Sequence, residues 1–226
     1  MKFNDFQDIF SASRISRYLS AVSGDKKKAT TLYRLNLRLS QELFTIESCF
    51  EISLRNKIDI HYLTRKGTDW LRDSALPGGM FNVRNCGKTP YIISQGLRKL
   101  TYYSHNKLIA EMEFGFWRYL FARHQFYAGG QTLLNIFPLK PHSTITVQYN
   151  YNYIFTELEK INKLRNRIAH HEPICFLQNQ SIKDTTYART HYGLIIQLFQ
   201  WMDIDETAML YGIDHINEIC YKIDNL

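Results

Sequence analysis

Arg165, Asn166, His170 and His171 stand close together in the run from Leu164 to Pro173. A guanidinium binds an anion such as phosphate through two parallel N–H donors. An imidazole gains or loses a proton near neutral pH. An amide donates and accepts, so it can orient either partner. This set can hold an anion and move a proton beside it. A blander reading covers part of it. A histidine at the end of a helix is a cation in the field of the helix dipole. That accounts for one histidine and leaves Arg165 unexplained.

The elements around the motif decide how these groups point. Upstream, Val147, Tyr151, Ile154, Leu158, Ile161 and Ile168 recur at steps of four and three, the spacing of an amphipathic helix, with Ser143 as its expected N-cap. Strand is the competitor over Ile145–Tyr153, where Thr, Val and Tyr are dense. Arg165 occupies the missing member of the apolar series. A buried charge is costly unless paired, so Arg165 requires an acid (Glu47, Glu51 or Glu113) or an anionic ligand. Pro173 pushes the residue before it out of the helical region, so the helix should end near His170 or His171. Asn166 and His170, four apart, share a face. Arg165 and His170, five apart, diverge by about 140° on a regular helix. Convergence on one phosphate needs a deviation in the last turn or a second motif apposed in a homodimer.

The rest of the chain reads as helices. Residues 1–24 suggest one short helix, capped by Ser11 or Ser13, carrying Ile15, Tyr18 and Leu19, and stopped by Gly24. Lys26, Lys27 and Lys28 oppose the dipole of a helix beginning there, so this triplet reads as a loop or solvated end, or as a phosphate contact. One long helix, or two collinear ones, follows from Leu32 to about Leu63. Glu47, Glu51, Arg55 and Asp59 form a row on it, either an exposed salt-bridge ladder or the source of the acid for Arg165. Arg55-Asn56 with His61 echoes the Arg-Asn-His arrangement, read as structural. The Gly- and Pro-bearing stretch 67–90 reads as an inserted loop. Helices are expected over Tyr91–Tyr103 and from Asn106, through Leu108, Met112, Phe116 and Leu120, to just before Gly129-Gly130, with Gly115 allowing close helix approach. A short helix at 131–137 and a loop from Pro173 to Lys183 follow. Asp184 is expected to cap a helix to Trp201. Asp203 or Asp205, and Asp214, cap two short final helices. The expected fold is an all-α antiparallel bundle of one domain, residues 1–226, with the 67–90 insertion and a helical extension from 180 to 226.

Composition sets limits. A chain of 226 residues with 45% hydrophobic content can bury a core. No apolar run approaches the roughly 20 residues of a membrane span, and the N-terminus lacks the apolar segment of a signal peptide. Four scattered cysteines without a CxxC pair read as reduced thiols in a cytoplasmic protein. The absence of HExxH or any spaced His/Asp cluster argues against a metallo-hydrolase, and no cofactor or metal is expected. A formal charge of +7 suits a polyanion partner such as RNA. Many proteins without such a partner are as basic.

The Arg165-Asn166-x3-His170 pattern resembles the Arg-x4–6-His signature of the HEPN superfamily. More narrowly, the chain resembles its Abi-like (abortive infection, phage resistance) family. The resemblance rests on Arg14–Leu19, Leu32–Asn36, Glu51–Asn56, Glu113–Trp117 and Leu164–Ile174, in that order. It implies a helical bundle, often dimeric, and metal-independent endoribonuclease activity. Carried over by position, Arg165, Asn166 and His170 are the implied catalytic residues. The 2′-OH of RNA would be the nucleophile, the histidine the proton carrier, and the arginine the stabiliser of charge on phosphorus. His171, Glu47, Glu51 and Glu113 are auxiliary candidates, and Lys26, Lys27, Lys28 and Arg167 candidate RNA contacts. The implied setting is phage defence or toxicity, with an antitoxin or phage component as a further partner. The competing class is a non-catalytic helical module that binds RNA or a phage protein.

Overall fold

A computed structural model describes all 226 residues. The chain is all-α, with one isolated antiparallel bridge between Phe176 and Lys183. In order, the helices are α1 (Phe3–Phe10), α2 (Ala12–Ala21), α3 (Lys26–Lys66), α4 (Trp70–Asp73), α5 (Lys88–Lys99), α6 (His105–Glu111), α7 (Phe114–Tyr119), α8 (Arg123–Ala128), α9 (Tyr151–Ala169), α10 (Thr186–Trp201), α11 (Glu206–Met209) and α12 (Ile216–Asp224). Short 3-10 turns occupy Arg84–Cys86 and Leu133–Ile136. No helix is long and apolar enough to cross a membrane.

The chain divides into two compact units. The first comprises Met1–Ser48, Lys163–Ile196 and Glu206–Leu226, and the second Cys49–Asn162 and Gln197–Asp205. In the first, α3 presents Ala29, Leu32, Asn36, Leu39, Leu43 and Ile46 to a core shared with Ile15, Leu164, Ile174, Ile195 and Ile219. Tyr18 and Tyr33 pack edge to face at 5.0 Å, and Tyr18 meets Phe176 in the same way at 4.9 Å. The N-terminal segment forms two helices where one was expected. Ser11 adopts φ 68°, which breaks the helix, and its Oγ accepts the Arg14 N–H to start α2. The lysine triplet lies inside α3, because Asp25 Oδ1 accepts the N–H groups of Lys27 and Lys28 at 2.9 and 3.0 Å. An N-terminal carboxylate satisfies these orphan donors and offsets the unfavourable lysines.

In the second unit, Asp59 anchors the region expected to be a loop insertion. Its Oδ1 accepts from Trp70 Nε1 and from His105 Nε2, both at 2.7 Å. Tyr103 donates to Asp69 at 2.5 Å, and Arg72 bonds the same aspartate at 3.1 Å. The acidic row on α3 is therefore no simple surface ladder, since Asp59 serves α4 and α6. The one helix expected from Asn106 to before Gly129 is three, α6 capped by Ser104, α7 starting after Glu113 and α8 starting after Ala122. Gly115 does not mark a close approach, because a Cβ there would meet nothing within 4 Å. Gly96 does: a Cβ there would strike Met112 Cε.

His61, the echo of the motif, is buried with Nε2 3.0 Å from Thr132 Oγ1. Burial is the larger cause and the neighbouring Arg65 charge the smaller, and together they push its pKa down to about 4. The unfolded chain then takes up this proton first. Stability should fall as pH drops from about 6.5 toward about 4, by on the order of 2 kcal/mol, and level off below. Urea midpoints at stepped pH check this: His61→Gln should flatten that acid limb.

Candidate functional site

The motif sits at the C-terminal end of α9. That helix begins later than Ser143, because Asn150 Oδ1 accepts the N–H groups of Asn152 and Tyr153 at 3.0 and 3.1 Å. Ser143 instead accepts from Tyr149 N–H at 3.0 Å, in the turn before the helix, and Val147 is exposed outside it. From Tyr151 the expected series holds through Ile154, Leu158 and Ile161, all fully buried; beyond them Leu164 is the buried residue and Ile168, expected on the seam, is only half-buried.

Arg165 turns inward and its Nε lies 3.4 Å from Glu47 Oε1 on α3, both residues belonging to the first unit. The acid side chain is 1% exposed and that of the arginine 33%. The pair thus reaches from a buried carboxylate to the surface. Of the three acids offered as partners, Glu47 is in place. Glu51, one turn further along α3, and Glu113, exposed at the start of α7, belong to the second unit. Asn166 and His170 lie on the exposed side of the helix, as their spacing requires.

The end of α9 is a Schellman turn. The His171 N–H bonds to Ile168 O at 2.9 Å and the Glu172 N–H to Arg167 O at 2.8 Å, with His171 at φ 56°. Glycine normally fills this left-handed position. The His171 carbonyl accepts Arg14 Nη1 at 2.8 Å. His171→Gly should therefore raise stability by about 1 kcal/mol. A melting curve checks it, and a fall in stability would show that the imidazole holds the turn.

Beyond the turn, residues missed in the sequence hold the chain down. Asn36, buried on α3, accepts the Ile174 N–H at 3.0 Å. Arg17 stacks on Phe176 at 4.6 Å and donates to Gln180 O and Leu177 O. Arg167, offered as an RNA contact, is engaged internally. It donates to Pro173 O at 2.7 Å, meets Glu172 at 3.3 Å and lies 4.3 Å over Tyr187. Asn36 carried a signal: it is a polar residue on the apolar seam of α3, as Arg165 is on α9. Arg14 carried none, since only the fold brings it to His171. Cys175, next to this turn, is fully buried and its thiol is pushed up to about 12, which keeps it protonated.

Lys26 and Lys27 line one groove at the start of α3, while Lys28 lines another hollow with Lys183. Three of the stretches that carry the family resemblance, Arg14–Leu19, Leu32–Asn36 and Leu164–Ile174, meet in the first unit through the Arg14 and Asn36 bonds. Compared with protein families, curated proteins and solved structures, the chain matches none.

Proposed function

We propose that this chain is a metal-independent endoribonuclease of HEPN, Abi-like type, a helical bundle acting in phage defence or as a growth-arresting toxin. The observation that carries the reading is the Arg165–Glu47 pair with Asn166 and His170 exposed beside it on α9. Glu47 fixes the guanidinium, and the side chain is one-third exposed, which lets a phosphate approach it from solvent. His170 takes the proton of the RNA 2′-OH, and that oxygen attacks phosphorus. The O2′–P bond forms, the P–O5′ bond breaks, and the 5′ oxygen leaves with a proton from water, to which His170 then returns the one it took. Arg165 neutralises the charge that gathers on the phosphoryl oxygens, and Asn166 orients the phosphate or the imidazole.

Arg165 and His170 diverge on α9, so a homodimer that apposes two such turns completes the site in this reading. The experiment is incubation of purified protein with cellular RNA in EDTA. New ends carrying 2′,3′-cyclic phosphate and 5′-hydroxyl support the proposal. Intact RNA, or 3′-hydroxyl ends, reject it.

The second reading is a binding-only module for RNA or a phage protein. The exposure of His170 favours it, because a general base is usually held in place by its surroundings. It requires that His170→Ala leave binding and biological effect unchanged.

A further inference from the structure

One face of α3 joins a basic groove to the neighbourhood of Arg165. The groove, about 310 Å³, is lined by Lys2, Phe3, Lys26, Lys27, Thr30 and Arg34 among others, and no acidic side chain lines it. The Lys26 ammonium lies 5.4 Å over the Phe3 ring. From the groove, Lys26, Thr30, Arg34, Leu37, Gln41 and Phe44 follow at steps of four, four, three, four and three. On a helix these residues form one stripe. Arg34, Leu37, Gln41 and Phe44 are all exposed, with Leu37 at 44% and Phe44 at 42%. Phe44 stands one turn before Glu47, the residue that holds Arg165. Arg34 and Phe44 are ten residues apart, roughly 15 Å along the axis. All of this lies in the first unit.

A single exposed aromatic is ordinary. An exposed aromatic in line with an acid-free cationic groove, one turn before the glutamate that holds Arg165, is what an unpaired nucleic acid strand requires. Cations follow the phosphates, and the aromatic face stacks a base whatever its identity. We infer that this face of α3 is the track for single-stranded RNA, with phosphates over Lys26, Lys27 and Arg34 and a base stacked on Phe44. The inference rests on the reading of Arg165 and His170 as an RNA site, and it adds where the strand approaches and which residue holds the base.

The test measures binding of a labelled single-stranded RNA by anisotropy in the His170→Ala full-length chain, beside cleavage in EDTA by the chain with His170 intact. Lys26→Ala/Lys27→Ala/Arg34→Ala should weaken binding and flatten the slope of log affinity against log salt by about 2. Phe44→Ala should weaken binding roughly 5- to 150-fold, and Phe44→Trp should restore it. Melting curves confirm that each variant is folded. If RNA is bound and the variants weaken it while no chain cuts, the track stands and the ribonuclease reading falls. If the chain cuts and the variants bind like the parent, the ribonuclease reading stands and the track is overturned. Equal affinity for poly-glutamate, or no binding of RNA, also overturns it; the former identifies the face as a contact for acidic proteins.

Discussion

His170→Ala should abolish RNA cleavage and leave the fold intact. Removing a general base costs roughly 10²- to 10⁴-fold in rate. The side chain is exposed at the last position before the turn, so its loss should change stability by no more than about 0.5 kcal/mol. The separation of these two effects is the point of the variant. His170→Gln preserves shape and polarity but cannot cycle a proton, and should be as inactive. Single-turnover cleavage in EDTA, with thermal melting alongside, reads both quantities. If His170→Gln cuts at the parental rate, another group carries the proton. His171 is then the first to try, although its left-handed backbone and its carbonyl bond to Arg14 give it a sufficient structural role.

The second large effect falls on stability. Arg165→Met removes the cation 3.4 Å from a carboxylate that is almost wholly buried. Stripping one partner from a buried pair costs about 3 to 5 kcal/mol. The guanidinium here is one-third exposed, and solvent reaches it, so roughly 2 to 4 kcal/mol is expected. Arg165→Met/Glu47→Met should recover most of this loss, because no charge is then stranded. A double-mutant cycle by urea denaturation gives the coupling. The recovered double variant should still be inactive toward RNA. That outcome would separate the arginine's structural part from its chemical one. If Arg165→Met is as stable as the parent, Glu47 does not depend on it.

Much of this was legible in the chain because helical periodicity is a local signal. Arg165 stood out as a charge on an apolar seam, and the seam runs as expected from Tyr151 to Ile161. Glu47 was among the acids offered to it, yet only the fold shows that its carboxylate lies within reach of the guanidinium. Three features were hidden for physical reasons. Asn150 starts α9, but an Asx cap is hard to place where Thr, Val and Tyr also suit a strand. The break between α6 and α7 at Met112–Glu113 carries no glycine or proline to announce it. Asn36 stands on the buried face between Leu32 and Leu39, but the group its amide satisfies, the Ile174 N–H, lies 138 residues away, where periodicity cannot find it. The contacts of Arg14, Arg17 and Asn36 with the 171–180 segment span more than a hundred residues of chain, and local patterning has no access to them.

In the proposed reaction the RNA supplies its own nucleophile and the protein supplies Arg165 and His170. The most direct measurement uses an oligonucleotide that the protein cuts at one position, resynthesised with a single 2′-deoxy nucleotide on the 5′ side of that bond. No cleavage is expected there in EDTA, with binding unchanged and flanking ribonucleotide bonds still susceptible. Cleavage of the deoxy linkage at the parental rate would contradict the proposed reaction.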